Sequence, residues 1–227
     1  MPLSFRSKFI VWNGMLVWLG LLYYGPQWYP LRTPYELAPG FLDQAIPFLP
    51  QTAWIYQSLF LLLPLASLLQ PDRTSFARFV SGFCLLVLTF SAIFWLYPTE
   101  LRAPVSHVPP GWGYEHLVAA VDGRRNAFPS LHAALTVYAG LSITRLSQGR
   151  TFASGAMTIW ILALLISTLT TKQHICLDLL AGSGAGFAAF ILSASGFPMS
   201  VNFKWRLGHP RSLFSGDKIQ ADKQSQR

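Results

Sequence analysis

Charged side chains are scarce in this sequence: only 11% of its 227 residues are Asp, Glu, Lys or Arg, whereas about 25% is usual in a soluble domain. Acidic residues are the scarcer sign, because 9 Asp and Glu stand against 17 Lys and Arg. The basic residues are scattered between apolar blocks, whereas a nucleic-acid-binding protein concentrates them on one exposed face. The composition therefore excludes a disordered chain, a coiled coil, an ordinary soluble enzyme and a nucleic-acid-binding protein.

Long apolar runs are abundant, since 52% of the residues are hydrophobic. A helix crosses the hydrocarbon core of a bilayer with about 20 predominantly apolar residues. The windows that approach this length are Phe9–Tyr24, Ala53–Leu69, Phe79–Leu96, Ser130–Thr144, Phe152–Thr170 and Ile175–Ser195. We therefore predict an all-α fold: a six-transmembrane helix bundle over residues 1–200, followed by a polar, basic tail over residues 201–227.

The distribution of Lys and Arg predicts the orientation of this bundle, because these residues are enriched in cytoplasmic loops. The side that carries both termini holds most of the Lys and Arg residues, and the C-terminal tail contributes half of those on that side. We therefore expect both termini in the cytoplasm and the segments 25–51 and 98–129 on the outer side. The first of these segments contains a candidate amphipathic helix, Tyr35–Phe48.

An ionisable pair lies at the start of the sixth apolar window. His174 and Asp178 are separated by one helical turn and share one face. An ionisable side chain inside a span is costly and usually faces the bundle interior with a partner. An aspartate that accepts one ring N–H fixes the imidazole tautomer, which prepares the histidine as a nucleophile or base.

A second histidine, His132, follows Ser130 at the start of the fourth window. Backbone N–H groups at a helix N-terminus form an anion site, and the serine hydroxyl adds a donor. Both helix starts enter the membrane from the same side, so His132 and His174 lie at similar depth. The basic residues on that side are Arg32, Arg102, Arg124, Arg125 and Lys172, and the last four are the candidates for phosphate binding. Cations favour a phosphate, and two such histidines suit covalent phosphoryl transfer.

Other interpretations of these residues stay open at this point. A His–Asp pair in a bundle can be a satisfied polar contact, and a histidine at a helix start can be structural. Two histidines can also serve as axial ligands of a haem. The basic residues of the outer segment can simply form a solvated loop.

The motifs resemble those of the type 2 phosphatidic-acid-phosphatase superfamily, whose signature is K-x6-R-P, then P-S-G-H, then S-R-x5-H-x3-D. The second motif reads Pro129-Ser130-Leu131-His132, and the third keeps Ser167, His174 and Asp178 at the family spacing. Leucine in place of glycine resembles the inositol-phosphotransferase-like and ceramide-phosphotransferase-like membrane branch. The motifs lie within residues 97–182.

The resemblance implies that His174 forms a phosphohistidine, that Asp178 orients it and that His132 is the general acid. Ser130 would bind phosphate oxygens, and neither a metal nor another cofactor is implied. Two family cations are absent, because Trp95 and Thr168 stand at the lysine and arginine positions. We expect Arg102, Lys172, Arg124 or Arg125 to supply the positive charge.

We therefore expect an integral membrane phosphatase whose partners are a lipid phosphate substrate and the membrane lipids. A bacterial inner membrane, with the active site facing the periplasm, is the expected location. One alternative is a lipid phosphotransferase that uses the same histidines. Another is a membrane bundle that binds a lipid or a cofactor without catalysis. Gly182 and Gly186, four residues apart, predict close helix packing. The sequence defines neither the lipid nor the oligomeric state.

Overall fold

The computed structural model describes residues 3–102, 114, 118, 124–147 and 150–196. The predicted basic tail over 201–227 and the end of the first motif, Ala103-Pro104, lie outside the described residues. The described chain is mainly helical, as expected. Its elements in order are α1 (Phe5–Trp28), β1 (Tyr35–Leu37), α2 (Phe41–Ala45), a 3₁₀ turn (Pro50–Thr52), α3 (Ala53–Gln57), α4 (Leu59–Leu68), α5 (Arg73–Leu96), β2 (Thr99–Leu101), α6 (Leu131–Leu146), α7 (Thr151–Thr170) and α8 (Cys176–Ala194).

Four described helices are long and apolar enough to cross a membrane: α1, α5, α7 and α8. The fourth predicted window folds as α6, which has only 16 residues. The second predicted window is divided at Ser58 into α3 and α4. The backbone N–H of Ser58 donates to the carbonyl of Ile55 in a 3₁₀ pattern, and its hydroxyl oxygen accepts the indole N–H of Trp160 at 2.9 Å. Six spans and the cytoplasmic location of both termini therefore stay predictions.

The outer faces of these helices are apolar. Val17 and Leu21 of α1, Ile159 of α7, and Leu180 and Phe187 of α8 are all more than half exposed. Large apolar side chains that are exposed along a helix are typical of a surface in contact with lipid or with another protein. On four long apolar helices, it indicates an integral membrane protein.

Helix α6 lies at the centre of the bundle and packs against α4, α5, α7 and α8. Its contact with α8 is very close, because a Cβ on Gly182 would stand 2.1 Å from the carbonyl oxygen of Ser130. A Cβ on Gly186 would stand 2.2 Å from the carbonyl oxygen of Ala134. The predicted close packing at these two glycines is confirmed, and it sets the distance between the starts of α6 and α8.

The outer segment between α1 and α3 differs from the prediction. A continuous amphipathic helix over Tyr35–Phe48 is wrong, because the structure has the strand β1 and the five-residue helix α2 there. Strand β1 pairs in parallel with β2, with Tyr35 opposite Thr99. This pairing brings the α2 segment to the end of α5, where the first family motif begins.

Candidate active site

The loop between α7 and α8 carries His174. Its Nδ1 atom lies 2.8 Å from Oδ2 of Asp178, and the other carboxylate oxygen accepts the backbone N–H of Ile175 at 2.6 Å. His174 is 7% exposed and Asp178 is completely buried. His174 lies two residues before the first residue of α8, so the pair spans the helix start rather than one face of a continuous helix.

This geometry is one in which a histidine can act as a nucleophile or a base. An ionised carboxylate can only accept hydrogen bonds, so a hydrogen bond from His174 to ionised Asp178 requires the proton on Nδ1 of His174. The lone pair is then on Nε2, the nitrogen farther from Asp178. The His174 backbone is also fixed, because its N–H donates to the carbonyl of Thr168 at 3.3 Å.

His132 is the second residue of α6. Its ring stacks on Tyr56 with the centroids 4.0 Å apart and the planes at 15°. Its Nε2 atom is buried and has no hydrogen-bond partner within the described part of the chain. A buried polar atom without a partner is rare in native proteins and calls for an explanation such as a catalytic role.

Ser130 is the N-cap of α6. Its hydroxyl oxygen accepts the backbone N–H of Ala133 at 3.1 Å, and its own backbone N–H donates to the carbonyl of Asp178 at 3.1 Å. It is completely buried. Ser130 therefore joins the His132 helix to the His174–Asp178 pair, and phosphate binding through its hydroxyl hydrogen stays a prediction.

Two cavities meet at His174. The first, of about 210 Å³, is mainly apolar; His132 and Asn126 line it, together with residues of α1 and α4 such as Leu19 and Leu63. The second, of about 450 Å³, is lined by His174, Arg102, Lys172 and Asp43. The structure thus brings both histidines to one apolar cavity, and two of the predicted cations to the polar cavity beside it.

The two cations of the polar cavity are held differently. Arg102 donates from Nε to Glu36 at 2.8 Å, and both side chains are more than half exposed. Lys172 donates from Nζ to the backbone carbonyls of Asp43 and Ile46 at 2.6 and 2.5 Å. Burial lowers the pKa of Lys172, while the nearby charge of Asp43 opposes that change.

Arg124 and Arg125 are not among the described residues that line either cavity. Arg125 pairs with Glu100 at 3.3 Å and donates to the carbonyl of Gln27 at 2.9 Å. The carbonyl of Arg124 accepts the backbone N–H of Leu101 at 2.9 Å. The structure therefore places these two arginines beside the short sheet, and neither is among the described residues that line the cavities of His174.

Sequence reasoning missed three residues that line these cavities. Asn126 has a φ of 57°, donates from Nδ2 to the carbonyl of Tyr23 at 2.7 Å, and keeps a buried Oδ1 without a partner in the described chain. Tyr56 supports the His132 ring, and no sequence pattern indicated that contact. Asp43 is an acid in an otherwise apolar stretch, which is the one signal that pointed to it.

In the part of the chain that the structure describes, no three His, Cys, Asp or Glu side chains lie close enough together to hold a metal ion.

Comparison with known proteins gives one match. The family model described as the PAP2 superfamily matches residues 34–192, from β1 to α8. No curated protein and no solved structure matches the chain. The matched range contains His132, His174, Asp178 and both cations of the polar cavity.

Proposed function

The chain belongs to the PAP2 superfamily, and from this premise we propose that it is a membrane phosphatase that removes phosphate from a lipid phosphate. Members of this superfamily are phosphatases and phosphotransferases, and the apolar helices suit a membrane-embedded member. The observation that carries the proposal is the position of His174. Paired with Asp178 at 2.8 Å, it lines both the apolar cavity and the cavity that carries Arg102 and Lys172.

A lipid phosphate matches these two cavities. Its hydrocarbon part would occupy the apolar cavity between α1, α4 and α6, which also contains His132. Its phosphate oxygens would face Arg102 and Lys172 in the polar cavity, because cations bind phosphate through charge-assisted hydrogen bonds. Phosphorus then lies beside His174, and the leaving oxygen lies on the His132 side.

The proposed reaction has two steps. In the first, Nε2 of His174 forms a bond to phosphorus while the bond from phosphorus to the lipid oxygen breaks, and protonated His132 gives its proton to that oxygen. In the second, His132 takes a proton from water, whose oxygen bonds to phosphorus as the P–N bond breaks. Asp178 holds the Nδ1 proton throughout and stabilises the positive charge on the ring.

The proposed membrane arrangement follows the sequence prediction. We propose six spans, formed by α1, the α3–α4 pair, α5, α6, α7 and α8, with both termini in the cytoplasm of a bacterial cell. The starts of α6 and α8 and the end of α5 then share the periplasmic side. His174, between the end of α7 and the start of α8, lies on that side in this arrangement, where a lipid phosphate of the outer leaflet would reach it.

A lipid phosphotransferase is the second candidate, and the polar cavity favours it. Its volume of about 450 Å³ exceeds that of a water molecule, about 30 Å³, so it has room for an acceptor alcohol. The same phosphohistidine would then pass its phosphate to a hydroxyl oxygen. A bundle that binds lipid or cofactor without catalysis is the non-enzyme alternative.

The first experiment measures phosphate release by detergent-purified protein from a panel of lipid phosphates, with EDTA present. Wild type and His174→Ala are compared. Release that survives EDTA and disappears in the variant supports histidine chemistry. Release that appears only as transfer to an added alcohol supports the phosphotransferase. Binding of the lipids without turnover under either condition overturns both enzymatic assignments.

The chain also offers a matched pair of variants for the lipid site. Gly20 lines the apolar cavity, whereas Gly14 lies on the exposed side of the same helix, and a Cβ at either position meets nothing within 4 Å. Gly20→Leu fills part of the cavity, so we expect a higher KM for long-chain lipid phosphates and little change for a small soluble phosphate ester. Gly14→Leu should change neither. Equal effects of the two variants would contradict a hydrocarbon site in this cavity.

A further inference from the structure

Asp43 lies outside all three family motifs, yet its carboxylate reaches the start of α8. Its Oδ1 atom accepts the backbone N–H of Cys176 at 2.7 Å, and its Oδ2 atom accepts the backbone N–H of Gly40 at 2.9 Å. The first N–H groups of a helix have no partner within the helix. Asp43 therefore satisfies a donor of α8 from a segment that is distant along the chain.

The bond to Cys176 fixes the main chain that presents His174. Ile175 and Cys176 follow the histidine directly, and their N–H groups are taken by two different carboxylates: Ile175 by Asp178 at 2.6 Å and Cys176 by Asp43 at 2.7 Å. Asp178 thus binds the His174 ring and the Ile175 N–H, while Asp43 binds the N–H of the next residue, Cys176.

Lys172 reinforces this connection from the other side. Its Nζ atom binds the carbonyls at the end of α2, those of Asp43 and Ile46. The segment around α2 is therefore tied to the His174 loop by two sets of hydrogen bonds that run in opposite directions. Asp43 and Lys172 both line the polar cavity with His174. The same hydrogen bonds therefore also fix one wall of that cavity.

The Asp43 carboxylate is ionised at neutral pH. Burial alone would raise its pKa, but hydrogen bonds from Cys176 and Gly40 and the charge of Lys172 outweigh burial and hold the pKa below 3.8. A negative charge at a helix N-terminus is favourable, because the helix dipole places partial positive charge there.

We propose that Asp43 is a positioning residue for the nucleophile: through the Cys176 main chain, it holds the His174 loop at the distance that attack on phosphorus requires. The proposal rests on the proposed function for the identity of the nucleophile. In the proposed reaction, Asp43 contacts no reacting atom.

The test compares Asp43→Ala, Asp43→Asn and Asp72→Ala. Asp72 is the control, because its carboxylate also accepts a backbone N–H at the start of a helix, that of Thr74 at 2.8 Å, but it belongs to the helix that it caps and lies in neither cavity. We expect Asp43→Ala to lower kcat by up to about 100-fold, the scale of a 1 Å misplacement in an active site, and to change KM by a smaller factor. The amide oxygen of Asp43→Asn still accepts the Cys176 N–H, so this variant should recover most of kcat.

Asp72→Ala should lower the melting temperature without lowering kcat. A wild-type kcat in Asp43→Ala would overturn the proposal, and so would an equal loss in Asp72→Ala or no recovery in Asp43→Asn. The melting temperature of each variant separates loss of fold from loss of position.

A second readout does not depend on turnover. Diethyl pyrocarbonate modifies histidine rings, and mass spectrometry of the His174 peptide follows its rate. His174 is 7% exposed, so a loosened loop should react faster in Asp43→Ala than in wild type or in Asp72→Ala. Equal rates would overturn the positioning role even in a protein that releases no phosphate. If the wild type releases no phosphate but His174 still reacts faster in Asp43→Ala than in wild type, the proposed function is overturned and the positioning role of Asp43 is not.

Discussion

The contact between α6 and α8 gives the sharpest structural prediction. Gly182 faces the carbonyl oxygen of Ser130, and a Cβ placed on it would lie 2.1 Å from that oxygen. Gly184, two residues later on the same helix, has nothing within 4 Å of the same position. Gly182→Ala and Gly184→Ala therefore add the same methyl group to the same helix. The methyl group at residue 182 meets a backbone carbonyl, whereas the one at residue 184 meets open space.

The magnitude follows from the geometry. An ordinary contact would be 3.4–4 Å, so the Cβ and the carbonyl oxygen must move apart by at least about 1.3 Å at Gly182. A carbonyl oxygen cannot rotate away as a side chain does, and such overpacking costs about 1–3 kcal/mol. The same movement stretches the 3.1 Å bond between the Ser130 N–H and the Asp178 carbonyl. It thereby separates His132 from His174, and a displacement of about 1 Å costs roughly 100-fold in turnover.

Thermal unfolding in detergent and phosphate release measure the two effects. We expect Gly182→Ala to lose both stability and turnover. Gly184→Ala should keep its turnover and gain up to about 1 kcal/mol, because alanine is the better helix former. If Gly182→Ala is as stable and as active as Gly184→Ala, the helices do not approach as closely as described, and the reasoning from this contact is refuted.

Three further predictions concern single side chains. Lys172→Ala should lower turnover by about 100-fold, which is the scale for removing one group that stabilises transition-state charge. Arg150→Ala, at the start of α7, should leave turnover unchanged. Equal effects of the two variants in steady-state kinetics would contradict this prediction. Tyr138→Phe should cost about 1 kcal/mol in detergent unfolding, because it removes the 2.8 Å bond from the hydroxyl to the carbonyl of Phe79, and an unchanged melting temperature would count against that bond. The pKa of Asp43 is lowered on folding, so its ionised form stabilises the protein above pH 3.8 and this stabilisation is lost as the pH falls through the lower folded value. The difference in melting temperature between wild type and Asp43→Asn should therefore shrink in acid, and a constant difference would refute the assignment.

The sequence predicted the parts of the site that depend on local spacing. His174 and Asp178 are four residues apart, and a buried carboxylate requires a donor, so their pairing followed without knowledge of the fold. The glycines of α8 indicated close packing for a similar reason, since small residues on one helical face admit a neighbouring backbone.

The phosphate-binding cations could not be predicted in the same way. The sequence offered four candidate cations on one side of the membrane. In the folded protein, Arg102 and Lys172 line the polar cavity of His174, whereas Arg124 and Arg125 do not. Long side chains reach several ångströms in any direction, so sequence position alone does not define where their charge lies.

The apolar runs and motif spacings by themselves determined a helical membrane protein with a histidine–aspartate pair, because helical period and hydropathy are local properties of the chain. The tertiary structure decided what surrounds that pair. It divided the second predicted span at Ser58, stacked Tyr56 on His132, and brought Asp43 to the start of α8. These contacts join segments that are far apart along the chain, and no local period encodes them. They arise only when the helices pack and each buried polar group must find a partner.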